Sequence, residues 1–323
     1  MVGAPRTGTT LTMEVLNMHD QVHLYNEVHY HERVVDVLGN GRDLDRDSLE
    51  RAIALLLKST RWAAGGSDPV SARETLRNLV EQEGISHASV FGQFLAEEAR
   101  AHGKTIWGDS SPQDVLYMDA LKSWYPGARF IGLVRDPRAY LASYKNYYRK
   151  GVRLYRNRYN PWANATLWRS YMVALMQAKQ SAFGHDVHLL KYEDLVSDPG
   201  TEIRTLCEFL ELDFQESMLG VGRQNSSYFS VKEDFQQKGI SASSVDRWRQ
   251  ELHPAEIWIL ESIAGVQLEA LGYRREDLSF RLSFLPYLLK LGAELPGRLF
   301  NLLFRTGKPV TWQKIRKVLG AGR

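Results

Sequence analysis

The chain has 323 residues, 44% hydrophobic and 24% charged, with a formal net charge of +3. Such a composition excludes intrinsically disordered and collagen-like classes and suits one large α/β domain with appended elements. The single cysteine, Cys207, excludes an intramolecular disulfide framework and a cysteine-built zinc site, and fits a reducing, cytoplasmic setting. The charge is uneven. Residues 279–323 carry nine Lys or Arg and one acid, Glu294, a net +8 that leaves the first 278 residues at −5. No run of about 18 apolar residues marks a transmembrane helix. No charged and then apolar leader precedes the first motif, so no signal peptide is expected.

That first motif is Gly3-Ala4-Pro5-Arg6-Thr7-Gly8-Thr9-Thr10, running into a helical pattern over Leu11 to Asn17. A short apolar start, a turn of small residues and a helix opening in threonines build an anion cradle, because backbone N–H groups and a helix N-terminus converge there. The spacing from Gly3 to Gly8 is that of a P-loop. Thr9 stands where the P-loop lysine would reach the β/γ-phosphates of a nucleoside triphosphate, and the cation sits earlier, at Arg6. A cradle of this kind is poorly suited to ATP and points to another phosphate donor. The strand feeding it would be only Met1 to Ala4, so that strand is very short or the native chain starts upstream.

Val22 to His31 begins as an alternating, β-prone run and ends in ionisable groups, Glu27, His29 and His31. Residues just past the carboxyl end of a strand line the ligand crevice of a doubly wound sheet. These three are therefore chemistry-bearing groups or a solvated loop. Residues 40–104 read as a helical insertion, with helices over Leu44–Leu57, Ala72–Gln82 and Ser86–Ala101 broken at Gly65-Gly66-Ser67-Asp68-Pro69. It shows no metal-ligand or nucleophile pattern.

A strand at Thr105-Ile106-Trp107 leads through Gly108-Asp109-Ser110-Ser111-Pro112 to a helix over Asp114–Trp124. Trp107 stacks on a base or fills core. Ala128 to Val134 is a near-continuous apolar run, as buried parallel strands are. It ends in Arg135-Asp136-Pro137-Arg138, and a helix follows. Arg135 at the strand end and Ser143 in the second turn of that helix are placed to grip a phosphate, by a charged fork and a hydroxyl. On spacing alone Arg135 is equally an ion-pair partner of Asp136 or Glu27. A long helix over Asn164–Ala182, a strand over Val187–Tyr192, a loop closed by Asp198-Pro199, and a helix over Thr201–Leu210 continue the alternation. This argues for a mostly parallel sheet with crossover helices.

Residues 220–247 are polar and long for a loop, which suits a lid over phosphates. The helix over Pro254–Leu271 carries a core stripe. The tail places aliphatic and aromatic residues beside basic ones, a pattern for a membrane surface or for a helix packed on the main domain with its basic face solvated.

Taken together, Gly3 to Thr10, Arg135 to Ser143, Tyr192 and Lys238 to Trp248 resemble the sulfotransferases that use 3′-phosphoadenosine 5′-phosphosulfate (PAPS), over roughly residues 1–275. Pro5 to Thr10 is similar to the 5′-phosphosulfate loop of the arginine-bearing branch, which includes the protein-tyrosine sulfotransferases and many bacterial members. The resemblance implies a P-loop-type three-layer α/β fold with a mostly parallel central sheet over 1–278, and a basic tail over 279–323. It implies donor contacts from Pro5, Arg6, Thr7, Gly8, Thr9, Thr10, Arg135, Ser143, Tyr192, Lys238 and Ser243, with Ser226 and Ser227 as further hydroxyls. Arg6 would stabilise the departing oxygen, and Glu27 would be the general base, with His29 or His31 as substitutes. The acceptor would be a hydroxyl of a small molecule, lipid, glycan or tyrosine; no metal and no nucleic acid are implied. Many relatives carry a lysine where this chain has Ser110, which leaves Arg6 alone unless Lys238 or Lys145 reaches in. A P-loop nucleotide kinase and a non-catalytic, membrane-associated nucleotide-binding module are the competing readings.

Overall fold

The computed structural model describes residues 1–40, 43–63, 84–150, 159–221, 240 and 244–293. Among the described residues five strands form, all pairing in parallel: β1 (Val2–Gly3), β2 (Val22–Asn26), β3 (Ile106–Ser110), β4 (Phe130–Val134) and β5 (Val187–Lys191). They run β1-β4-β5 in one sheet and β2-β3 in a second, and the Met1 nitrogen donates to the Asp109 carbonyl at 2.6 Å across the seam between them.

The apolar run of β4 explains the layering. Successive side chains of a strand face opposite ways, so Phe130 and Val134 join one core and Ile131 and Leu133 another. The first core takes Trp168, Tyr171, Met172 and Leu175 of the helix Pro161–Gln180, with Leu260 and Ala264 of the helix Pro254–Ala270. The second takes Val15 and Leu16 of helix α1 (Thr9–Asn17) and Ile203, Leu206 and Cys207 of the helix Pro199–Leu210. The result is an α/β fold with helices on both faces of parallel strands. Gly132 is the close-approach position on the first face, where an added Cβ would meet Leu175 Cδ1 at 2.5 Å.

Several elements differ from the sequence expectation. The helix placed over Asp114–Trp124 is a 3-10 segment at Pro112–Tyr117 followed by an α-helix at Met118–Trp124. The tight first part is held by Asp114 N donating to the Ser111 carbonyl and by Tyr117 OH donating to Asp36 at 2.6 Å. The segment after β5 is helical at Tyr192–Ser197 rather than a loop. The β3 strand runs on to Ser110, paired residue for residue with β2 up to Asn26. The long helix begins at Pro161 instead of Asn164, because Asn160 caps it by accepting from Ala163 N. Within the insertion, helices stand at Arg46–Ala63 and His87–Ala101, while Ala72–Gln82 and the Gly65–Pro69 break lie outside the described residues.

Within each sheet the described strands are parallel, so Ala4 to Gly8, Arg135 and Tyr192 leave the carboxyl ends of one and Glu27 and Ser111 those of the other, and Arg6 lies close enough to Glu27 to act on its charge. Trp168 is fully buried between the layers. Trp168→Ala should therefore cost about 3–5 kcal/mol in urea unfolding, whereas Val266→Ala, on an exposed helix face, should stay within about 0.5 kcal/mol.

Candidate functional site

The cradle is built by backbone geometry. Gly3 has φ +143° and lies against β4, where a Cβ would sit 2.5 Å from the Leu133 carbonyl oxygen. Arg6 adopts φ 69°, a left-handed conformation uncommon for a non-glycine residue, and Gly8 follows at φ 99° as the residue before α1. Thr7 Oγ1 donates to the Ala4 carbonyl at 2.6 Å and Thr12 Oγ1 to the Gly8 carbonyl at 3.2 Å. No side chain caps α1 and no acidic residue occupies its first turn. Its N-terminal amides are thus not taken by a side-chain cap, and the local field favours an anion. Thr7 and Thr9 are buried; Pro5, Arg6, Gly8 and Thr10 are partly exposed at the cradle's mouth.

The second cationic group stands beside the first. Arg135, only 6% exposed, donates from one terminal nitrogen to the Arg6 carbonyl at 3.1 Å and from the other to Ser244 Oγ at 3.3 Å. Its plane lies over the Tyr192 ring, 4.2 Å to the centroid, and the Tyr192 hydroxyl shares a 2.9 Å hydrogen bond with Ser244 Oγ. Arg6 Nε donates to Ser143 Oγ at 3.3 Å, so loop, β4 end and the helix Pro137–Lys150 converge. Arg135 Nε is buried without a hydrogen-bond partner among the described residues. A buried guanidinium with a spare donor is a place for an anion.

The ion pair of Arg135 with Asp136 or Glu27 does not occur among the described residues. Asp136 accepts from Arg138 Nε at 2.9 Å and from its terminal nitrogen at 2.7 Å. Arg138 also reaches Glu261 at 3.3 Å and lies 4.3 Å from the centre of the buried Trp248 ring. Trp248 thereby anchors the segment that brings Ser244 to Arg135. Glu193 accepts from Asp136 N at 3.0 Å and from Tyr273 OH at 2.8 Å, and burial pushes its carboxyl up.

The third component is Glu27. The loop carrying it is pinned to the end of β3: Glu27 N donates to the Ser110 carbonyl at 3.1 Å, Val28 N to Asp109 Oδ1 at 3.3 Å, and His29 N to Ser111 Oγ at 2.8 Å. Glu27 and His29 both have φ 53°. Glu27 is half-buried, with its carboxylate 3.7 Å from His29 Nε2, an ion-pair separation rather than a tight hydrogen bond. The adjacent His29 ring, and then the charges of Arg33 and Arg6, hold the Glu27 carboxyl below its ordinary range although burial acts the other way. Glu27 is therefore ionised at neutral pH, near Arg6, and able to accept a proton.

Other expectations resolve differently. His31 is buried and stacked on Tyr117 and Trp124, with ring centroids 4.9 and 4.3 Å away, in the aromatic core rather than at the cradle. Lys145 does not reach in; its ammonium is held by Glu256 at 2.6 Å and the Glu251 carbonyl at 2.8 Å. Trp107 packs edge-on against Tyr125 at 5.5 Å on the rim of the core. Lys238, Ser243, Ser226 and Ser227 lie outside the described residues. Ser244 is a site residue the sequence reading passed over; its only sequence signal is membership of the Ser241-to-Ser244 hydroxyl run.

A family model described as the sulfotransferase family matches residues 1–216. The nodulation protein NoeE of Sinorhizobium fredii (strain NBRC 101917 / NGR234) is 25% identical over 299 residues, 85% of this chain and 65% of that protein. A putative protein-tyrosine sulfotransferase of Caenorhabditis briggsae is 22% identical, over 75% of this chain and 74% of that protein. An uncharacterized protein of Aquifex aeolicus (strain VF5) is 24% identical over 77% of this chain, which spans only 30% of that protein's length. In fold, the chain is similar to the sulfotransferase domain from the curacin biosynthetic pathway, with a TM-score of 0.57 and 19% identity over 84% of this chain and 96% of that domain.

A Cβ at Gly8 would meet Tyr192 Cδ2 at 2.5 Å and, at φ 99°, would be strained on its own account. Gly8→Ala should displace the Tyr192 ring from Arg135. Affinity for a nucleotide anion, measured by calorimetry, should fall at least about tenfold, roughly 1.4 kcal/mol.

Proposed function

The chain belongs to the sulfotransferase family, and from that premise we propose that it moves a sulfuryl group from PAPS to a hydroxyl acceptor by in-line transfer. The observation that carries this reading is the buried Arg135 guanidinium with its orphaned Nε, set beside Tyr192 and the uncapped start of α1. Two separate anion positions follow from it, one in the cradle and one at Arg135. A donor with a 5′-phosphosulfate and a distinct 3′-phosphate presents two anions of that kind; a nucleoside triphosphate presents one chain of phosphates and would call for the lysine that Thr9 replaces.

In the step proposed, a new bond forms between the acceptor oxygen and sulfur while the bond from sulfur to the 5′-phosphate oxygen breaks. Negative charge grows on that departing oxygen, and Arg6 with the cradle amides stabilises it. Glu27 takes the proton of the acceptor hydroxyl, and the His29 ring 3.7 Å away fixes the carboxylate's position. Phosphoryl transfer is the nearest parallel, and there too positioning and electrostatics carry most of the rate. Arg135, Ser143, Tyr192 and Ser244 hold the donor, with Lys238 and Ser243 as further contacts. Residues 1–278 form the catalytic unit of this account, and no metal takes part. The tyrosine-sulfating relative supports a hydroxyl as the acceptor class.

Phe284, Tyr287 and Leu291 pack inward, Tyr287 OH donating to Glu256 at 2.6 Å, whereas Leu282 (77% exposed), Leu285 and Leu289 (71% exposed) line the outer side. An outward leucine stripe within a segment of net +8 suits the anionic surface of a membrane on its cytoplasmic side. Among the described residues no helix is long and apolar enough to cross a membrane.

Incubation with PAPS and a panel of hydroxyl acceptors should give sulfated product by mass spectrometry. Arg6→Ala should abolish donor binding; unchanged donor affinity in that variant would sink the role of the cradle. Glu27→Gln should lower kcat by about 10²–10⁴ with donor affinity retained. Since the Glu27 carboxyl is depressed, its base form persists as pH falls, so the acidic limb of kcat/KM should lie below the range of an ordinary glutamate. Anionic vesicles should pellet the protein at low salt, and the doubly charged variant Leu282→Asp/Leu289→Asp should stay in the supernatant. Equal pelleting of both proteins would remove the membrane from the account.

A further inference from the structure

At the opposite end of β2 from Glu27, we propose a binding site for a first-row divalent cation, zinc by preference, formed by His23, Glu98 and His102. Their ligand atoms, two imidazole nitrogens and a carboxylate oxygen, all lie within 4.8 Å of one another. His23 is the second residue of β2, and Glu98 and His102 stand four apart at the end of the helix His87–Ala101 that packs on this strand. Roughly 10 Å of strand, three residues at ~3.3 Å each, separate His23 from Asn26, beyond which the candidate active site opens.

Three features prepare the cluster for a cation. His102 Nδ1 donates to the Glu98 carbonyl at 2.7 Å, which leaves Nε2 as the nitrogen available to a cation. A backbone carbonyl fixing the tautomer in this way is the usual support for a metal-bound imidazole. The His23 ring makes no hydrogen bond among the described residues; it stacks on His102 with centroids 4.1 Å apart. Glu98 is only 7% exposed, which brings a carboxylate oxygen to the two rings largely out of water.

Two imidazoles and one carboxylate form a nitrogen and oxygen set that suits Zn²⁺ with an open fourth position. Tetrahedral bonds of 2.0–2.2 Å place ligand atoms about 3.4 Å apart, so modest side-chain rotation closes the set. The cation would cross-link the outer strand to the insertion helix, distant from the groups assigned to transfer.

The test is calorimetric titration of the full, tag-free chain with Zn²⁺, alongside the visible absorption of added Co²⁺ and thermal melting. The expected result is one equivalent bound, a melting temperature raised by zinc, a tetrahedral Co²⁺ spectrum, and at least tenfold weaker binding in both His23→Asn and His102→Asn. Melting without metal reports whether each variant is folded, and Glu98→Gln provides a third, conservative variant. Absence of saturable binding, or binding unchanged in His23→Asn/His102→Asn, would overturn the site. Donor binding should be the same in these variants and the parent protein, which separates this outcome from failure of the proposed activity.

Discussion

The arrangement depends on how Arg135 is held. A guanidinium at the end of a fully buried strand must find partners or be costly to bury, and among the described residues they come without a carboxylate ion pair. The Arg6 carbonyl, the Ser244 hydroxyl and the Tyr192 ring take its charge, while Asp136, the acid next to it in sequence, is drawn off by Arg138. Had Asp136 neutralised Arg135, the site would hold an internal ion pair in place of an anion-seeking group. Arg138, Trp248 and Glu261 therefore matter at one remove, since they keep the acid occupied and fix the segment bearing Ser244.

Backbone strain clusters at the same edge. Arg6, Glu27 and His29 are three of five non-glycine residues with positive φ among the described residues. Each such residue costs of order 1–3 kcal/mol, and such conformations persist where the surroundings over-determine them. The surroundings do so in this protein: hydrogen bonds from Glu27, Val28 and His29 to the end of β3 hold one loop, and Gly3 packed on Leu133 with α1 beginning at Thr9 holds the other. Two loops stiffened in this way set the Arg6 guanidinium within electrostatic reach of the Glu27 carboxylate.

The sequence made much of this legible and left other parts hidden, for physical reasons. Gly3 to Thr10 and the β4 strand are local patterns, a turn with a helix start and an uninterrupted apolar run, and both formed as their residues indicate. Alternation of strand and helix carried the parallel topology. Spacing could not tell whether Arg135 faced Asp136 or an anion, because that depends on where Arg138 points, and Arg138 is oriented by Glu261, 123 residues away. Ser244 was hidden for a similar reason, since its place is set by Trp248 packing on Arg138. His31 looked like its neighbour His29, yet the turn after β2 rotates it into the aromatic core. The His23, Glu98 and His102 cluster joins a strand to a helix some 75 residues on, which no local pattern records.

The proposed chemistry needs two anion positions rather than one, and titration calorimetry with paired nucleotides examines that most directly. Adenosine 3′,5′-bisphosphate, the desulfated donor, should bind without metal, and removal of its 3′-phosphate to give AMP should weaken binding at least tenfold, an increment that Arg135→Ala erases. ATP with Mg²⁺ binding as tightly as the bisphosphate, or a 3′-phosphate of no consequence, would contradict the assignment of Arg135 and with it the sulfuryl-transfer reading.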